Sequence, residues 1–191
     1  MQYRYKDDGR VPQHVRRIDG TEPNLLDILE IPLDKEALDF GFERENWLIM
    51  PGAWKRLGRA SLADVVTYAN GEIMYPKYKR AVPLPYLESL PRNQQKTLQL
   101  LKVVNFRAWI NAEEKYRASL VTTNGHELHD APITDPVFIK KLDIGDYRNN
   151  RRFTSDRCLV TLSLGMPFAK EKDGEKYCWK LIAGVIEIAV S

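Results

Sequence analysis

The chain has 191 residues, 43% of them hydrophobic, with a net charge of +3. That composition supports a core of one domain or two small ones. The longest apolar runs, residues 25–33 and 181–188, fall well short of the roughly 20 residues that cross a bilayer, so no membrane contact is expected. The start, "MQYRYKDDGR", has no apolar stretch of the kind a secretory signal needs, which points to a cytoplasmic protein. Two cysteines, Cys158 and Cys178, match neither a metal-type pair nor a disulfide scaffold, and both are expected as buried, reduced thiols. The basic excess lies late: from residue 96 onward there are 15 basic and 12 acidic side chains.

Taken in chain order, "NLLDILEIPL" (24–33) reads as a strand ended by Pro32, and "ENWLIM" (45–50) as a second one stopped by Pro51-Gly52. In "WKRLGR", Trp54 reads as a core residue flanked by the surface charges Lys55, Arg56 and Arg59. "SLADVVTYA" (61–69) predicts a helix with Ser61 as N-cap and Asp64 completing a capping box. Pro76, Pro83, Pro85 and Pro91 mark a linker, which puts the domain boundary at 95/96. Within it, "YPKYKRAV" sets Lys77, Lys79 and Arg80 beside Tyr75 and Tyr78, a mixture of charge and rings suited to nucleic acid.

From Leu98 the strand signals follow closely. "LQLLKVVNFRAWI" (98–110) is long enough to bend across a barrel, and "KYRASLVTTN" (115–124) returns after a short acidic loop. Asn124-Gly125 marks a hairpin into "GHELHDAPI", since both residues tolerate positive φ. "TDPVFIKKL" offers Thr134 or Asp135 as N-cap and Pro136 in the first turn of a short helix, with Val137, Phe138 and Leu142 as apolar contacts. Strands at 158–164 and 177–188 follow, joined through Asp173-Gly174. The order β-β-β-α-β-β is that of the OB-fold, a small barrel that binds oligonucleotides and oligosaccharides.

The candidate ligand contacts are positive groups near rings. "DYRNNRRF" places Arg148, Arg151 and Arg152 between Tyr147 and Phe153, so that guanidinium groups meet phosphates and rings meet bases. Arg117 and Lys180, on the second and fifth strands, point either to ligand or to the opposite side, because alternation leaves their face open. "GHELHD" holds His126, Glu127, His129 and Asp130 but lacks the spacing of a helical zinc site, so no metal is expected. Glycine spacing excludes a P-loop or dinucleotide fingerprint, and no nucleophile has a supporting base, so neither catalysis nor a cofactor is expected.

The strings "LLDILEIPL", "ENWLI", "WKRLGRASLADV", "ITDPVF", "GDY", "LVTLSLGMPF" and "YCWKLIAGVI", in this order from about Leu25 to Ile188, resemble the bacterial dual OB-containing domain family. The resemblance implies a mainly β chain with short helices: two OB-like β-barrel modules in tandem, residues 1–95 and 96–191, the first incomplete. It also implies nucleic-acid or nucleotide recognition without catalytic residues. The family's strands upstream of "LLDILEIPL" have no counterpart here, which leaves the first barrel with an open edge that a partner, a second copy or residues 1–18 would fill. A protein-interaction subunit of a multi-gene, defence-type system is the alternative expectation, docking through that edge.

Overall fold

The computed structural model describes residues 11–34, 42–43, 47–148, 151–169 and 174–188. The chain forms two compact units that divide between Thr67 and Tyr68. The first holds a short helix α1 (Gln13–Arg16), strands β1 (Asp27–Glu30) and β2 (Lys55–Arg59), and a helix α2 (Leu62–Val66). β1 and β2 pair antiparallel as a two-stranded sheet, so among the described residues this unit is less than a closed barrel. β2 is the "KRLGR" read as flanks of a core tryptophan, and every residue of it is exposed. Of "ENWLIM", residues 45 and 46 lie outside the described residues; the rest contributes only an isolated bridge between Ile49 and Leu33. The capping box forms as its sequence requires: Ser61 Oγ accepts from Asp64 N at 3.1 Å, and the Asp64 carboxylate accepts from Ser61 N at 2.9 Å.

The second unit begins with β3 (Ala81–Pro83), α3 (Leu84–Ser89) and a 3-10 turn (Arg92–Gln94). This proline-rich stretch is therefore part of the second unit and not a seam at residue 95. β3 pairs with the last strand, Leu87 is fully buried, and Gln95 donates to the carbonyls of Leu87 and Leu90. The prolines start α3 in its first turn, where a missing N–H costs nothing.

Next come β4 (Leu98–Ile110), β5 (Tyr116–Thr122), β6 (Glu127–Pro132), α4 (Pro136–Gly145), a three-residue β7 (Phe153–Ser155), β8 (Cys158–Leu164) and β9 (Tyr177–Glu187). The pairings are β4 with β5 and β8, β5 with β6, and β8 with β9, all antiparallel. A parallel bridge between Ile133 and Ile182 brings the end of β6 to β9. With α4 between the third and fourth long strands, this is the five-stranded OB barrel the sequence predicts.

Phe106, Leu120, Leu128, Leu142, Leu159, Leu162 and Ile182 fill its core. Asp135 caps α4, accepting from Val137 N and Phe138 N, while its second oxygen accepts from Val185 N on β9. Phe138 and Leu142 pack inward as expected, whereas Val137 faces solvent. In the hairpin at Asn124-Gly125 only Gly125 takes the left-handed conformation, with φ of 79°. Gly125 N donates to Thr122 O, which makes a longer turn than the two-residue type. Asp173 of the β8–β9 connection lies outside the described residues.

Candidate nucleic-acid interface

Two bulges decide what the outer face of β4, β5 and β6 presents. Along β4 the buried residues are Leu101 and Val103, then Phe106, Ala108 and Ile110, so their parity changes at Val104, the extra residue where the register with β5 shifts. Beyond it Asn105, Arg107 and Trp109 point outward. Their partners on β5 are Val121, Ser119 and Arg117, on the same face because directly opposed residues in an antiparallel pair share a side. On β6, Glu127 and His129 continue the face. Asp130 follows with φ of 51°, where the β5–β6 register shifts, and its N–H donates to Ser119 Oγ at 3.1 Å.

The result is an open groove of about 360 Å³, floored by Val121 and Ser119 and walled by Arg107, Trp109, His129 and Arg152. A second hollow of about 560 Å³ lies on the far side of Trp109 and Arg152, against the β4–β5 loop and Arg148. The loop is set by Asn111, whose side-chain oxygen accepts from the backbone N–H groups of Glu113 and Lys115.

Of the arginine cluster, Arg152 sits with its guanidinium carbon 4.7 Å from the centroid of Trp109, and Arg151 lies 5.7 Å from that of Tyr147. Arg148 differs. It is held by Glu114 at 3.1 Å, Asp146 at 2.9 Å and Asp143 at 3.9 Å, and the hydrogen bonds to Asp146 and Glu114 push its pKa up. Asp143 also accepts from Tyr116 Oη at 2.9 Å, which raises the phenol's pKa. Phe153 is no base-stacking ring: it is buried, edge-on to Phe138 at 5.1 Å and to Tyr147 at 5.8 Å.

The remaining predicted contacts lie elsewhere. Arg80 donates to the Asp130 carboxylate at 2.8 Å and to its carbonyl at 3.1 Å, and lies 5.8 Å from the Trp179 ring centroid. Arg117 faces the same carboxylate at 3.9 Å, its Nε buried and without a hydrogen-bond acceptor among the described residues. Asp130 thus sits between the two arginines, beside the seam where β6 approaches β9. Tyr78 packs on Tyr86 at 4.9 Å, Lys77 lies 5.8 Å from the Tyr78 ring, and Lys79 is exposed.

Lys180 is buried, sharing the inner face with Cys178 and Ile182, and is not a ligand contact. Its ammonium donates to the carbonyls of Tyr78 at 2.6 Å and Tyr75 at 3.1 Å, and burial lowers its pKa to about 8. In "GHELHD", His129 pairs with Glu127 at 2.8 Å while Asp130 is turned away to Arg80, so the residues do not converge.

The groove residues that sequence reasoning missed are Asn105, Arg107, Trp109 and His129. Trp109 and Arg107 stood in a strand whose outward face could not be assigned before the bulge at Val104 was known. The only signal was a tryptophan and an arginine two apart within an otherwise apolar run.

No helix among the described residues is long and apolar enough to cross a membrane, which says nothing of a membrane barrel. Comparison with curated proteins and with solved structures gives no match. A family model, the dual OB-containing domain, matches residues 4–185, beginning ahead of the Leu25 at which the sequence resemblance starts. With a five-stranded OB barrel in its second unit and a family match over nearly its whole length, the chain belongs to the dual OB-containing domain family.

Proposed function

We propose that this is a nonenzymatic binding protein of a bacterial system, and that its second unit takes single-stranded nucleic acid or a nucleotide across the outer face of β4, β5 and β6. The observation that carries the reading is an open groove in which Arg152 lies over Trp109, with Arg107 on the same wall and neither guanidinium in an ion pair among the described residues. Arginine neutralises phosphate, and the half-buried indole of Trp109 offers its outward face as a stacking surface to any base. The face is also where OB barrels in general bind oligonucleotides, between their second and third strands and the loop after the first. Arg151 beside Tyr147 extends the positive edge, whereas Arg148, Arg80 and Arg117 are committed to carboxylates.

The test is binding of a labelled octanucleotide at about 50 mM salt, where micromolar affinity is expected, falling as salt rises. Arg107→Ala should weaken binding about tenfold and lower the salt slope by about 0.7, the share of one phosphate on a single strand. Absence of a shift at low salt, or an unchanged slope in the variant, would overturn the reading.

A second reading, protein docking through the first unit, rests on the two-stranded sheet. Ile28 of β1 and Leu57 of β2 are 46% and 61% exposed, and Leu25, Leu33 and Trp47 are exposed as well. The occupant this reading favours is a second copy adding a strand to the two that pair among the described residues. Light scattering over a concentration series should then show a dimer that Leu57→Lys dissolves; a monomer throughout the series discards it.

A further inference from the structure

We propose that Arg152 is a displaceable cap on Trp109: an unstacked base takes the indole face, and the released guanidinium moves to the adjoining phosphate. This rests on the binding reading above and specifies how a single strand would be engaged.

Guanidinium is planar, like a base, and at 4.7 Å from the ring centroid it covers the surface on which a base would stack. Little holds it there. Among the described residues one of its five N–H donors is engaged, Nη1 to the Arg151 carbonyl at 3.2 Å, and no carboxylate pairs with it. Arg148, four residues earlier, shows the contrast, since three carboxylates keep it in place.

An exposed cation–π contact is weaker than the stacking of a base on an aromatic side chain. The exchange also turns a solvated guanidinium into a charge-assisted phosphate contact. Trp109 and Arg152 together line both hollows, so a strand whose base sits on the indole has room for a neighbouring nucleotide on either side. A duplex offers no free base face and gains nothing from the exchange. The ligand class is therefore a flexible single strand of at least two or three nucleotides.

The experiment uses adenosine, an uncharged base without phosphate, and a single-stranded octanucleotide, both followed by tryptophan fluorescence on the full chain. Arg152→Ala uncovers the indole, so adenosine should bind severalfold more tightly than to the unaltered protein, while the octanucleotide binds more weakly and with a smaller salt slope. Trp109→Phe identifies the signal among the four tryptophans, and placed on Arg152→Ala it should reduce the adenosine gain when binding is followed by equilibrium dialysis of labelled adenosine. Arg152→Met, which keeps the aliphatic stem, should behave between the two. Adenosine binding no tighter in Arg152→Ala, absence in both proteins included, overturns the cap. If the octanucleotide still binds in that case, the groove reading stands alone; if the unaltered protein binds no octanucleotide, both fall.

Discussion

Lys180 is the residue whose chemistry departs furthest from its sequence context. It stands in "YCWKLIAGVI" on a face that alternation alone leaves open, and the barrel buries it beside Cys178 and Ile182. The carbonyls of Tyr75 and Tyr78 are what make the burial tolerable, since an ammonium without acceptors would not stay charged. Its folded pKa of about 8 lies below the ordinary 10.5, so the folded state releases the proton first. Below pH 8 both states are protonated and the folded protein carries the full desolvation penalty. Between pH 8 and 10.5 the unfolded chain binds more proton, so this group's contribution to stability rises with pH. The stability of the unaltered protein minus that of Lys180→Met, from urea unfolding between pH 7.5 and 9.5, should therefore increase across the window. A flat difference would show the ammonium to be better solvated than its burial implies. Burial acts oppositely on Cys158, whose thiol is pushed up to about 12 and stays protonated, as expected for an inert core cysteine.

At the scale of elements, much of the second unit was legible. Each long strand carries its own alternation, Asn124-Gly125 marks one turn, and Asp135-Pro136 marks the helix start with a cap whose second oxygen also holds Val185 N. Three short or charged strands were not. β3 and β7 have three residues each and owe their existence to a neighbour's free edge, which propensity cannot report. β2 reads "KRLGR" because an exposed strand needs no apolar residues, so its composition resembles a loop. The groove was hidden for a different reason. Its rows run across strands, Asn105 with Val121 and Arg107 with Ser119, and cross-strand rows require the register. One inserted residue at Val104 reverses which half of β4 faces out, and Asp130 does the same locally on β6.

For the whole molecule, the proline-rich stretch changes what counts as the second folding unit. Residues 68–95 supply β3 to the edge of β9, the buried Leu87, and both carbonyls that receive Lys180. A fragment of residues 68–191 should unfold in one cooperative step by circular dichroism. A fragment of residues 96–191, cut at the boundary that the prolines suggest, should fail to show one, because it leaves the Lys180 ammonium without its acceptors and β9 with a bare edge. Equal cooperativity in the two fragments would restore that boundary.

The seam between β6 and β9 has a consequence for any titration of the groove. Among the described residues one parallel bridge, Ile133 to Ile182, brings the end of β6 to β9, and the Arg80–Asp130 pair beside it is about half-exposed on each partner. Dissolved ions weaken such a surface pair as well as phosphate contacts. Since β6 carries Glu127 and His129 into the groove, electrolyte reaches the same wall by two routes, one through the ligand and one through the clasp behind it. Replacing Arg80 and Asp130 by a neutral, well-packed pair would leave only the first.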